Sequence, residues 1–293
     1  MATPLFVGLS TLDIAYSVDT YPHEDTKTQA RDQFLGAGGP AANAAVACAI
    51  LSGESPLFIT ALGRHRLADI VRRDLDDHNV RVVDTTPDRA DEPPVSSIVV
   101  ARQSQSRTIV SLDGSRITAV FDAALDVHVH GRANLLIDGH YPDLALGIVD
   151  SARRAGVPVV LDAGRWKPVH DQLLPLVDIV ICSEAFRPPG FAGDDVQLLD
   201  YIRARGPEHA AITRGPDPVL YSTGSRSGSI AVAAVDAIDT LGAGDILHGA
   251  FCHYHAIGHG FIGSLERASA VATLSCRSFG TRRWRDAISD LVK

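Results

Sequence analysis

Asp239-Thr240-Leu241-Gly242-Ala243-Gly244-Asp245 runs straight into Ile246-Leu247-His248-Gly249-Ala250-Phe251, and this junction decides how the rest of the chain is read. Two glycines around a small alanine let bare backbone N–H groups approach a ligand, and the apolar run that follows predicts a helix. A helix start offers unpaired donors and the positive end of the helix dipole, which suits a phosphate whose charge spreads during transfer. A carboxylate at Asp245 repels such an anion unless it takes the proton from a hydroxyl that attacks the phosphorus. For an isolated G-x-G-D the competing reading is a plain helix cap, so the decision passes to the rest of the chain.

With 293 residues, 45% of them hydrophobic, the chain is long enough to bury a large core. Its net charge of −8 argues against nucleic acid or an acidic membrane as a partner. No apolar run approaches the roughly 18 residues of a membrane span. Met1-Ala2-Thr3-Pro4 brings no basic segment ahead of an apolar one, so the expected location is the cytoplasm. Cys48, Cys182, Cys252 and Cys276 are widely spaced, three of them within apolar segments, and read as free thiols.

Working back from the junction, the pattern is alternating strand and helix. Pro4–Leu9, Pro56–Leu62, Val80–Val83, Leu135–Asp138, Val157–Asp162, Asp178–Cys182 and His209–Thr213 read as strands. Leu67–His78, Leu144–Ala155, Val196–Ala204 and Leu265–Phe279 read as helices, with a further helix closing at Leu173–Val177. Near-continuous apolar strands separated by helices predict a mostly parallel sheet covered on both faces. Its carboxyl edge then collects Asp13, Asp138, Asp162, Ser183 and Thr213, where ligands of such sheets sit. Two stretches break the alternation: 14–35, and 95–112 with its polar turn Gln103–Ser106. These predict a small open sheet able to cover a substrate and exclude water. Val219–Ser222 and Ser229–Val235 read as a last pair of strands. The whole of 1–293 reads as one domain with that cover.

Gly36-Ala37-Gly38-Gly39-Pro40-Ala41-Ala42-Asn43 is a glycine turn leading into a small-residue helix. Its G-x-G-G-P spacing is not that of the dinucleotide fingerprint. Gly38 and Gly39 allow close backbone approach, and the amide of Asn43, one turn inside, can bond vicinal hydroxyls.

Taken together, Gly38–Asn43 and Asp239–Asp245 resemble the two signatures of the ribokinase-like, or PfkB, family of ATP-dependent carbohydrate kinases, and the resemblance extends over almost the whole chain. It implies a three-layer α/β/α fold with a β-sheet lid, ATP and Mg²⁺ as cofactors, and a small sugar as substrate. It also implies Asp245 as catalytic base beside an anion hole at Gly242, Ala243 and Gly244. Asp13, Gly38, Gly39 and Asn43 would bind the sugar, joined by Asp138. Ser183, Thr213 and Gly215 would lie by the nucleotide, together with Gly242 and Gly244, and Asp239 by a K⁺ site found in some members. The open lid sheet predicts a homodimer formed through it.

The chain departs from the family where many members carry N-x-x-E, reading Ser183-Glu184-Ala185-Phe186 instead. Magnesium is then expected to be held mainly through phosphates and water. Ser183, Ile137-Asp138-Gly139 and His248 resemble the ketohexokinase and sulfofructose-kinase types and lean toward a ketose. A nucleoside or sugar-acid kinase, and a non-catalytic sugar or nucleotide sensor on the same scaffold, are the alternatives. Arg165 and Lys167 stand beside the edge residue Asp162; meeting a sulfonate or phosphate on the substrate is the lesser of their readings, behind a pair with no role in binding. Arg282-Arg283-Trp284-Arg285 reads as a solvated helix start rather than an anion patch. His253, His255 and His259 lack ligand spacing for a metal.

Overall fold

The computed structural model describes residues 2–224 and 226–291. In chain order its first half contains β1 (Leu5–Val7), β2 (Thr11–Val18), β3 (Asp32–Gly38), α1 (Pro40–Ser52), β4 (Leu57–Thr60), α2 (Arg66–Asp77), β5 (Arg81–Asp84), β6 (Val95–Ala101) and β7 (Ser106–Ser111). The second half contains β8 (Leu135–Ile137), α3 (Pro142–Ala155), β9 (Val159–Ala163), α4 (His170–Leu173), β10 (Ile179–Ser183), α5 (Asp195–Arg203), β11 (His209–Arg214), β12 (Asp217–Thr223), β13 (Arg226–Ile230), α6 (Ala243–Ala256) and α7 (Gly260–Ser275).

A nine-stranded sheet runs β13-β12-β11-β10-β9-β8-β1-β4-β5. It is parallel from β11 to β5, and β12 and β13 add an antiparallel edge. Alternate side chains of its central strands enter different cores. Phe6, Phe58 and Leu136 pack toward α1, α2, α6 and α7, whereas Leu5, Val7, Ile59 and Ile137 pack toward α3 and α5. Burial on both faces is why these strands lack a polar alternation, and it makes three layers. The strand order reverses between β1 and β8, which is where the carboxyl ends of such a sheet open a crevice.

The second sheet, β3-β2-β6-β7, is wider than the sequence pattern implies. β2 begins at Thr11 and β3 runs to Gly38. Asp13 therefore lies within the second sheet, opposite Gly36, and not at the end of the first strand. Polar–apolar alternation hid this boundary, because Thr11, Leu12 and Asp13 are all buried. The glycine turn is likewise shorter than expected: only Gly39, with φ of +99°, lies between strand and helix. The last strand pair closes earlier, at Ile230, and α7 spans Gly260–Ser275. Among the described residues no helix is long and apolar enough to cross a membrane.

Helix α1 is alanine-rich and buried on almost every side, as a helix apolar all round must be. It lies between the sheet and α6, with small residues on both helices. A Cβ added at Gly249 of α6 would stand 2.1 Å from the carbonyl oxygen of Ala44, so the backbones touch there. Gly249→Ala is expected to destabilise the fold by about 1–3 kcal/mol, the usual range for an overpacked interior. The check is a lowered urea midpoint with an unchanged denaturant slope.

Candidate active site

The close approach of α1 and α6 brings Asn43, in the first turn of one, against Asp245, in the first turn of the other. The Asn43 Nδ2 donates to Asp245 Oδ2 at 2.8 Å across 202 residues of sequence. Gly242 caps α6 with φ of +68°, a conformation that costs a side-chain-bearing residue energy. A Cβ there would also lie 2.6 Å from the Thr281 methyl. Gly244 is exposed with open space around it, while Ala243 N donates to Thr240 O at 3.3 Å.

The Asp245 carboxyl is perturbed by its surroundings. Burial pushes its carboxyl up to about 7, the Asp162 charge adds to that, and the Asn43 bond and His248 oppose it. Asp162 is buried at the end of β9 and is itself raised by burial. Its Oδ2 lies 3.3 Å from His248 Nδ1. That nitrogen also lies 2.8 Å from Gly244 O, while Nε2 lies 3.0 Å from Ile181 O. The imidazole thus ties the first turn of α6 to β10 and stands beside the two acids.

Asp13 is 5% exposed and raised by burial, with Thr11 Oγ1 donating to its Oδ1 at 2.6 Å. A Cβ on Gly38 would fall 2.0 Å from the Asp13 carboxyl, so the glycine makes room for the acid. The Asp13 charge also pushes the Asp245 carboxyl up, after burial and Asp162.

Asp138 is held by backbone donors. Its Oδ2 accepts from Leu9 N at 2.8 Å and Ala41 N at 3.2 Å, and its Oδ1 from His140 N at 3.0 Å. It gathers the ends of β1 and β8 and the start of α1. Lys167 Nζ donates to the Asp138 carbonyl at 3.0 Å, whereas Arg165 is exposed.

Ser183 and Thr213 are register partners at the ends of β10 and β11, and Gly215 opens the following turn with φ of +59°. Phe186, where an acid was expected, is fully buried and packs on Trp166 and His170, each 5.2 Å away. Glu184 is exposed. Asp239 is 5% exposed and raised by burial. Its Oδ1 accepts from Leu241 N at 2.8 Å and its Oδ2 from Gly280 N at 2.9 Å.

The segment after α7 corrects the sequence reading. Arg282 is 7% exposed and Trp284 fully buried, so 282–285 is no solvated helix start. Arg282 Nη1 donates to Asn43 Oδ1 at 2.9 Å, and Nη2 to Asp74 Oδ2 at 2.8 Å. The available signals were slight: Trp284 two residues on, and Asp74 beside the buried stripe Ala68, Val71 and Leu75 of α2. Among the described residues no cluster of three or more His, Cys, Asp or Glu side chains is placed to hold a metal. His255 stacks on Phe251 and His259 stands edge-on to Tyr254. A G-x-G-x-x-G run, Gly258–Gly263, bridges α6 and α7 and follows no strand, so it lacks the context of a dinucleotide site.

Known proteins with the same layout define the class. The ribokinase structure from Giardia lamblia superposes with a TM-score of 0.83 at 18% identity, covering 99% of this chain and 100% of that one. The Arabidopsis thaliana ribokinase structure gives 0.78 at 21% identity, covering 100% and 99%. The fold is therefore ribokinase-like. In sequence, ribokinase from Staphylococcus aureus is 26% identical over 84% of both chains. The ketohexokinase of Mus musculus is 35% identical over only 37% of this chain and 36% of its own. The model of the pfkB family carbohydrate kinases matches residues 4–287; the chain belongs to that family.

The raised carboxyl of Asp245 has a consequence for stability. Its ordinary value of 3.8 is lifted to about 7 in the folded chain, so the fold binds this proton more tightly than the unfolded chain does. The resulting stabilisation is full below about pH 4 and is lost as pH rises through about 7. Asp245→Asn removes that titration. Thermal unfolding of the variant relative to the parent is expected to improve steadily between about pH 4 and pH 8.

Proposed function

We propose that the chain transfers the γ-phosphoryl of ATP to a primary hydroxyl of a small sugar, with Asp245 as general base. The observation that carries this reading is the raised Asp245 carboxyl, held by Asn43 at the open first turn of α6. A pure sensor has no use for a base in that place. The Arabidopsis ribokinase structure is described as complexed with ribose and ATP, and a ribokinase II structure from Escherichia coli as in complex with ATP and Mg²⁺.

Asn43 and Asp13 hold the neighbouring hydroxyls, so that one oxygen faces Asp245. Asp138 shapes the pocket by fixing its backbone. As that oxygen attacks, Asp245 accepts its proton, and the amides of Gly242, Ala243 and Gly244 take up the charge that develops. ATP supplies the phosphoryl group and Mg²⁺ offsets phosphate charge when bound. Ser183, Thr213 and Gly215, at the far strand ends, border the nucleotide. With Phe186 in the core, Mg²⁺ would be held through phosphates and water. Asp239 fits a K⁺ neighbour: its carboxyl is buried and raised, and one lone pair remains on each oxygen beyond the two amide bonds.

Relatives named ribokinase match along the length of the chain, whereas the ketohexokinase match is local. A pentose thus joins the ketoses as acceptor, and a furanose with a primary hydroxyl unites them. An ADP-release assay over pentoses, ketoses, nucleosides and sugar phosphates tests the reading. Sugar-dependent turnover supports it, and turnover without sugar sinks it. Asp245→Asn is expected to lower kcat at least about 10²-fold. The parent's kcat/KM is expected to fall on acidification through about pH 7, as Asp245 takes up its proton.

The second sheet serves as the lid. Its outward face leaves Tyr16, Leu35 and Val110 exposed, and these apolar side chains lie on one side of the sheet. A second copy covers that face. Sizing at micromolar concentration is expected to give a dimer, and Val110→Lys a monomer.

A further inference from the structure

The side chain that orients the base is itself oriented by a buried cation. Asn43 has a donor end and an acceptor end of nearly the same shape, so its shape alone does not say which end meets Asp245. Arg282 does. A guanidinium has donors only, and Arg282 Nη1 points one at Asn43 Oδ1 from 2.9 Å. Turned over, the amide would set NH₂ against guanidinium and oxygen against carboxylate, losing both hydrogen bonds at once.

The cation is held from every side. Nη2 donates to Ala37 O at 2.7 Å and to Asp74 Oδ2 at 2.8 Å, and Nη1 also donates to Thr281 Oγ1 at 2.7 Å. The Asp74 Oδ2 in turn accepts from Ala37 N at 2.9 Å. Both peptide groups of Ala37 are thus bound by the Asp74–Arg282 ion pair, at the point where β3 of the second sheet passes into α1. Such a pair is costly to bury unless its remaining donors and acceptors are satisfied, and here the donors of Arg282 are spent on Asn43, Thr281 and the lid hinge.

From this geometry we infer that Arg282, anchored by Asp74, is a positioning residue for phosphoryl transfer, fixing the Asn43 amide toward Asp245 and tying that orientation to the base of the lid. The inference rests on Asp245 being the base. The groups that face Asp245 are Asn43 from α1, Asp162 from β9, His248 from its own helix and Asp13 from β2. Of these, Asn43 is the one that Arg282 controls directly.

The test compares Arg282→Met, Arg282→Lys and Asp74→Asn with the parent. Arg283→Met is the control, because Arg283 is exposed and pairs with Asp32. Thermal scans establish that each protein is folded at the assay temperature. Arg282→Met is expected to lower kcat by about 10-fold or more, the scale of a small misplacement at a reacting centre, with the KM for ATP within about twofold. Losing the Asn43 bond raises the Asp245 carboxyl, so the acid limb of kcat/KM should move to higher pH by about half a unit. Arg282→Lys should recover part of both, and Arg283→Met should match the parent.

Parent-like kcat and acid limb in folded Arg282→Met overturn the inference. If that variant does not fold, Arg282→Lys and Asp74→Asn decide: a shifted limb in either supports it, and an unshifted limb in both overturns it. Asp245→Asn in parallel separates the two levels. Activity there removes the base assignment itself, whereas inactivity there with parent-like Arg282 variants removes only the role of Arg282.

Discussion

The hydrogen bond from Asn43 to Asp245 joins residues 202 apart, and it exists only because two helices approach more closely than ordinary side chains permit. Alanines cover α1, and Gly249 lets the α6 backbone rest on the Ala44 carbonyl. Their first turns are then side by side at one end of the sheet. The small-residue composition that looks featureless in α1 is what sets the separation of two polar side chains. Packing and site geometry are one constraint here, since interiors transmit small volume changes to their surroundings.

The site also concentrates negative charge where water is scarce. Asp13, Asp162 and Asp245 are all shifted upward by burial, and the fold answers with groups of specific geometry. His248 stands beside Asp162, and Arg282 faces Asn43 and Asp74. Asp138 accepts three backbone N–H groups. These carboxylates thus differ by what surrounds each: Asp245 faces Asn43 and Asp162, Asp13 accepts from Thr11, and Asp138 accepts from backbone amides.

The departure from the family pattern after β10 is structurally coherent. Phe186 fills a core pocket with Trp166 and His170, and burial first, then Lys167, pushes the His170 imidazole down to about 3. An acid at position 186 would be buried against aromatic rings without a partner. The substitution is therefore part of a packed cluster.

By itself the sequence determined the layers, the parallel order implied by unbroken apolar strands, and the glycine-flanked turn with its acid, because periodicity and glycine spacing are local properties. It singled out Asp13, Asn43 and Asp245 but misplaced the boundary of the second sheet, where buried Thr11 and Asp13 do not follow a polar–apolar rule. It misread Arg282 as solvated, since a charged residue in a run of arginines carries no local sign of its partners. Only the tertiary structure decided that this cation meets Asp74 from α2 and Asn43 from α1. It likewise decided that Asp138 is spent on backbone amides. Pairings between residues tens to hundreds of positions apart depend on how helices stack, and no spacing along the chain records that.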